Sequence, residues 1–191
     1  AFHLQLGKDS PYLSGMSLRI LSYNTHKCLG LDRRRRPDRI AAVLAAARAD
    51  VIVLQEVDHR LGPRPAALPH ALAEQASGLR LLPFALSLVS LGWHGQAILI
   101  RPDFDLLALK RIALPGLEPR GAVLAEMTTE MGQLRVVGVH LALISRYRKM
   151  QLAAIAAALS HRPAMPTLVI GDFNEWSSRG GADALGPSFR L

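Results

Sequence analysis

Short apolar runs recur along the chain, and several end in a polar residue of chemically useful type. Leu18–Leu21 leads to Asn24, Val51–Leu54 to Gln55 and Glu56, Leu134–Val139 to His140, and Thr167–Ile170 to Asp172 and Asn174. Brief continuous runs rich in β-branched residues predict buried strands. Pro37 and Asp38 open a stretch with Ile40, Val43, Leu44 and Ala47 at helical spacing, between the first two runs. A strand–helix–strand unit of this kind implies parallel pairing. The Pro-rich segment Gly62–Pro69 predicts a loop, and Ala71–Ala76 a helix. Further strands are predicted over Leu79–Val89, Gln96–Ile100, Leu106–Ile112 and Ala122–Thr128, with Glu130-Met131-Gly132 as a hairpin turn into Leu134–Val139. From Arg148 to Leu159 a helix places Leu152, Ile155, Ala156 and Leu159 on one face, and His161–Pro166 ends it. Helices flanking mixed strands predict a layered α/β fold with two packed sheets.

The polar residues at the strand ends change the picture from fold to chemistry. Carboxyl ends of neighbouring strands in open α/β sheets converge on one crevice, where ligands usually bind. Two carboxylates, three carboxamides and an imidazole suit a divalent metal and a phosphate ester better than they suit a core. Asp172 beside a fixed amide can deprotonate a water while Asn174 holds that water or a phosphate oxygen. Their alternate spacing points both side chains one way if the strand continues. Gly171 allows a tight turn and close approach of a substrate. The plain alternative is a strand-end turn, where Asp and Asn bond locally. Glu56 suits Mg²⁺, which prefers hard oxygens and keeps several waters. The alternatives are a solvated loop glutamate at Glu56, a satisfied structural histidine at His140 and a turn residue at Asn24.

The 191 residues are about one domain, with 50% hydrophobic and 20% charged side chains, a globular composition. No apolar run approaches the roughly 18 residues of a membrane span. The amino terminus lacks the layout of a secretory signal, so the expected location is cytoplasmic. Cys28 is the single cysteine, which excludes an internal disulfide and a cysteine-built metal site. Residues 1–15 look unrelated to the rest of the chain and read as an N-terminal extension ahead of a domain over 16–191. The net charge of +8 is compatible with polyanionic partners, although an Arg-rich composition, 19 Arg to 4 Lys, also arises from a GC-rich coding sequence. Arg33–Arg36 and Arg146-Tyr-Arg-Lys149 can grip phosphates or lie as solvated surface. Trp93 and Trp176 are rim or core aromatics, and Arg179-Gly-Gly181 carries little weight.

Ser22-Tyr-Asn24-Thr-His-Lys, Ala49-Asp-Val-Ile-Val-Leu-Gln-Glu56-Val, Gly138-Val-His140-Leu and Ile170-Gly-Asp-Phe-Asn174 occur in the order typical of one group. The chain resembles the endonuclease/exonuclease/phosphatase superfamily from about Leu18 onward. Trp93-His-Gly-Gln-Ala-Ile-Leu-Ile100 and Glu118-Pro-Arg120-Gly resemble two further steps of its pattern. The resemblance implies a four-layered α/β/β/α sandwich that hydrolyses phosphoesters with Mg²⁺ or Mn²⁺. It implies Glu56 as metal ligand with Asn24 beside it, Asp172 as activator of the attacking water, and Asn174 as orienting group. His140 would contact phosphate or pair with a carboxylate; Arg120 in its family-like step, and Arg146 and His26 from their places in the chain, are the substrate-binding candidates. The implied reaction is phosphodiester or nucleic-acid hydrolysis. The alternatives are lipid or inositol-phosphate hydrolysis, or a catalytically crippled member that only binds phosphate or nucleic acid.

Two departures from the pattern stand out. His26 holds the place where abasic-site endonucleases carry an aspartate. The chain ends at Pro187-Ser-Phe-Arg-Leu191 without the Ser-Asp-His-like motif and the strand expected there. The resulting expectations are a shortened chain, a second copy that completes an exposed sheet edge as a homodimer, or a binding-only protein.

Overall fold

The computed structural model describes residues 2–7 and 17–175. Trp176, the Arg179-Gly-Gly181 triplet and the chain end, where the sequence suggests a missing strand, lie outside the described residues. The elements are β1 (Phe2–Gly7), β2 (Ser17–Asn24), α1 (Pro37–Ala47), β3 (Val51–Gln55), α2 (His70–Ser77), β4 (Arg80–Leu81) and β5 (Ala97–Ile100) in the first half. Then come β6 (Asp105–Leu114), β7 (Arg120–Thr129), β8 (Gly132–His140), α3 (Ser145–Ser160) and β9 (Thr167–Asp172). One sheet has the order β1-β2-β3-β5-β4 and the other β6-β7-β8-β9.

Every residue of β3 is buried because both of its faces are covered. Val51 and Val53 turn inward with Leu18, Ile20, Ile98 and Ile100, where they meet Val123, Ala125 and Val136 of the second sheet. Ile52 and Leu54 turn outward against Ile40 and Leu44 of α1 and Ala73 of α2. On the far side, Leu124, Val137 and Val139 pack against Leu152 and Ile155 of α3. Helix, sheet, sheet and helix therefore form four layers, as expected. The alternation along each strand follows from the period of two.

β2 pairs parallel with β3, and β8 parallel with β9, so four strand ends face one direction. The remaining pairs are antiparallel. Residues 2–7, set apart by the sequence, pair antiparallel with β2 at the sheet edge. No helix among the described residues is long and apolar enough to cross a membrane.

Three local expectations need correction. Leu79–Val89 is not one strand: only Arg80–Leu81 pairs. Pro83 lacks the N–H a central ladder needs. The next segment folds instead onto the 56–69 loop, where Ala66 N–H donates to the Val89 carbonyl at 2.7 Å and the Ser90 hydroxyl to the Arg64 carbonyl at 2.7 Å. Gly171 is not a turn opened to substrate. It lies within β9 opposite Val139 with φ +151°, and a Cβ there would collide with the Val139 carbonyl. Helix α3 starts at Ser145, earlier than its apolar spacing suggests.

Candidate active site

Asn24 and Gln55 face each other at the ends of β2 and β3, and His140 and Asp172 at the ends of β8 and β9. Gln55 turns into the core, where its amide donates to the Ser22 hydroxyl and the Val53 carbonyl. Glu56, one residue on, turns into the cleft. The reversal comes from a left-handed backbone at Glu56, φ +54°. Thr25 fixes this corner: its hydroxyl donates to the carbonyls of Gln55 and Glu56, both at 3.0 Å.

The two sheets meet at Asn24. Its Nδ2 donates to Asp172 Oδ2 at 2.9 Å and to Glu56 Oε1 at 3.3 Å. One amide thus holds carboxylates from both sheets. Asn24 Oδ1 accepts the His26 N–H at 3.0 Å, which locks the amide orientation. Lys27 donates to the other oxygen of Glu56. Burial pushes the Glu56 carboxyl up, but the Lys27 bond and charge and the Asn24 amide outweigh it and hold it below the usual range. Glu56 is therefore ionised and already answers a cation.

Asp172 Oδ1 accepts the Asn174 N–H at 2.9 Å, while Oδ2 faces Asn24. The strand-end turn is thus present at one carboxylate oxygen, while the other lies in the cleft against Asn24. Asn174 does not point alongside Asp172, because its backbone is left-handed at φ +49° and its Nδ2 donates to the Leu141 carbonyl at 2.7 Å. Its Oδ1 is the atom left for a ligand.

His140 Nε2 stands 3.8 Å from Asp172 Oδ2, beyond a hydrogen bond. Burial pushes this imidazole down to about 4, the Arg120 and Arg60 charges push the same way, and the Asp172 and Glu56 carboxylates oppose them. The ring is neutral at pH 7, so this contact is not an ion pair. Its folded value lies below the ordinary 6.5, so the stability it contributes is complete above pH 6.5 and is lost as pH falls toward 4. The loss should be on the order of 3 kcal/mol. Thermal melts of the wild type should fall through this window, and His140→Gln should flatten the slope. Parallel slopes for the two proteins would contradict the assignment.

Arg120 brings a cation to the cleft with its side chain only 9% exposed. Its Nη1 donates to the His140 carbonyl at 3.2 Å and its Nη2 to Glu118 at 2.9 Å, while Nε is buried without a partner. His26 lies on the rim, 3.9 Å from Glu56. Arg146 is exposed on the first turn of α3, outside the cluster.

Sequence reasoning missed part of the cleft. A cavity of about 240 Å³ beside Glu56 and His140 is also lined by Lys27, Arg60, Arg64 and His94. Arg64 donates to His94 Nδ1 at 2.9 Å. Burial, then the Arg64 charge, pushes the His94 imidazole down. A signal for these residues existed in the basic Arg60 and Arg64 just after Glu56, and in the His94-Gly95 step.

The donor set fits a magnesium-like ion. Glu56 would supply a carboxylate oxygen with the Asn24 amide beside it, and no three His, Cys, Asp or Glu among the described residues close into a metal cage. Mg²⁺ commonly takes one or two carboxylates and fills its shell with waters and phosphate oxygens.

Comparison with known proteins agrees with this architecture. Uncharacterized protein YbhP of Escherichia coli (strain K12) is 26% identical over 174 residues, covering 85% of this chain and 69% of YbhP. The structure of D. rerio TDP2 complexed with single strand DNA product superposes with a TM-score of 0.67 at 21% identity, covering 84% of this chain and 62% of that one. The endonuclease/exonuclease/phosphatase from Beutenbergia cavernae DSM 12333 gives 0.61 at 24% identity, over 88% and 52%. The chain thus spans about two thirds or less of these solved relatives. The family model described as Endonuclease/Exonuclease/phosphatase family matches residues 21–190, and to that family this chain belongs.

Proposed function

We propose that the protein is a divalent-metal-dependent phosphoester hydrolase, acting on diesters by attack of an activated water. The observation that carries this reading is the Asn24 amide spanning Glu56 and Asp172 beside a neutral His140. Family membership supports phosphoester chemistry.

Each residue has a task that its surroundings allow. Asp172 Oδ2 accepts a proton from the attacking water, and Asn24 keeps that oxygen aimed into the cleft. Neutral His140 donates one ring N–H to a phosphoryl oxygen. Arg120, which lines the cleft, offsets phosphate charge. Mg²⁺ or Mn²⁺ on Glu56, with Asn24 beside it, would polarise the phosphoryl group and stabilise the developing charge by several kcal/mol.

Nucleic acid is a natural diester for a chain of charge +8. TDP2, similar in fold, has been seen with a single strand DNA product. A lipid headgroup is the second reading, favoured by the exposed Leu31, Leu61 and Leu88 on loops around the cleft.

Hydrolysis of bis(para-nitrophenyl) phosphate tests the chemistry. EDTA should lower turnover by at least about 10²-fold, and added Mg²⁺ or Mn²⁺ should restore it. Turnover indifferent to EDTA would end the metal reading. Folded protein that binds Mn²⁺ without hydrolysing the diester would favour a binding-only role.

A further inference from the structure

Eleven large apolar side chains are exposed among the described residues, and all but Leu107 and Met150 stand on five loops at one end of the sandwich. Those loops, 25–36, 56–69, 82–96, 115–119 and 141–144, surround the carboxyl ends of β2, β3 and β8. They are tipped by Leu31, Leu61, Leu88, Leu117 and Ile144, with Leu31 and Leu88 fully exposed at 106% and 103%. That is the end at which the catalytic cleft opens.

The opposite end is different in kind. Its loops expose no large apolar side chain among the described residues, and Arg101 there ties Asp50, Asp103 and Glu130 into an ion-pair network. Single exposed leucines are ordinary on any surface. Their concentration around one cleft is not.

Cations accompany the leucines. Arg33 and Arg34 follow Leu31, Arg60 precedes Leu61, and Arg146 follows Ile144. None of these four forms an ion pair among the described residues, and all are exposed. Apolar tips beside such arginines match the boundary between anionic headgroups and acyl chains, where leucine enters the apolar layer and arginine meets phosphate. A nucleic-acid backbone would reward the arginines but not the leucines. The tips stand on five separate loops around the opening, and only Leu117 and Ile144 share a cavity, which suits a lipid surface better than a single peptide groove.

We propose that these loops dock the protein on an anionic phospholipid bilayer and that the substrate is a phospholipid phosphodiester. The docking half stands on the loops alone, and the substrate half rests on the hydrolase reading above. A second cavity of about 130 Å³, lined mainly by Leu117, Leu143, Ile144 and Tyr147, adjoins Arg120. Arg120 also lines the catalytic cavity. The apolar part of such a substrate therefore has a place beside the position of its phosphate.

Flotation with phosphatidylcholine vesicles, with and without phosphatidylglycerol, is the test. The full chain should bind the anionic vesicles. The triple variant Leu31→Ser, Leu61→Ser, Leu88→Ser should bind them at least about tenfold more weakly, with unchanged melting temperature and unchanged turnover of the soluble diester. Asp172→Ala should bind as the wild type does, and should not release headgroup phosphate ester from the vesicles. Absence of wild-type binding overturns the proposal. So does equal binding by the triple variant, which would reduce the attraction to charge alone. Self-association that disappears in the triple variant would assign the loops to a second copy instead. Vesicle binding without any turnover would leave docking intact and remove the hydrolase reading, while soluble turnover without binding would do the reverse.

Discussion

Asp172→Ala will lower kcat for diester hydrolysis by at least about 10²-fold and at most roughly 10⁴-fold, the range a positioned general base supplies. The carboxylate sits at the end of β9, with one oxygen closing a turn onto Asn174 and the other against Asn24. Only the second oxygen is placed to take a proton. Asp172→Asn keeps an oxygen for the Asn174 N–H but sets its own NH2 against the Asn24 donor, so it removes the base and one side-chain hydrogen bond while sparing the backbone contact. Both variants should therefore lose kcat, and the Asn form, which keeps the Asn174 contact, should melt above the Ala form. KM should change far less than kcat, since the lost contribution appears in the transition state. An Asp172→Asn enzyme with undiminished turnover would remove Asp172 from its role.

Glu126→Ala will destabilise the protein by about 3–5 kcal/mol, the usual effect of removing one partner from a buried ion pair. Glu126 lies on β7 and is bonded by Arg135 of β8 and Arg162 beyond α3, each at 2.7 Å. Arg135 has only 4% of its side chain exposed and also donates to Thr167 and to the Pro163 carbonyl. Removal of the carboxylate would strand that guanidinium where water cannot reach it. For a chain of this size the melting temperature should drop by roughly 6–20 °C. The double variant Glu126→Leu with Arg135→Met should recover much of the loss, because an apolar pair of similar volume avoids the stranded charge. A single variant that melts within a degree or two of wild type would show that the pair is not desolvated as its geometry implies.

The strands are legible in the sequence where burial on both faces forces continuous apolar runs, as at Val51–Leu54, and the helices where the 3.6 spacing marks α1 and α3. The polar ends are legible for the same reason, since a hydrophilic side chain directly after such a run stands at the rim of a sheet. Leu79–Val89 misleads because apolar density looks alike in a strand and in a loop packed on the core; Pro83 alone distinguishes them. Lys27, Arg64 and His94 lie on loops without any periodicity. Their convergence depends on contacts between distant segments, such as Thr25 to Glu56 and Arg64 to His94. Strand spacing puts Asn174 on the wrong side because β9 ends at Asp172 and the backbone reverses.

The left-handed corner at Glu56 has a consequence for anyone seeking a hardier form of this protein. His26, Lys27, Glu56, His94 and Asn174 all hold positive φ around the cleft, where a glycine would rest more easily. Such conformations cost of order 1–3 kcal/mol when held in sparsely populated regions. A selection for heat resistance alone would drift toward glycine at these corners, and its best survivors would be robust proteins stripped of the polar side chains that line the cleft. Stabilising changes belong at the ion-paired end, around Arg101, where the backbone can be tightened without touching the strand ends that line the proposed active site.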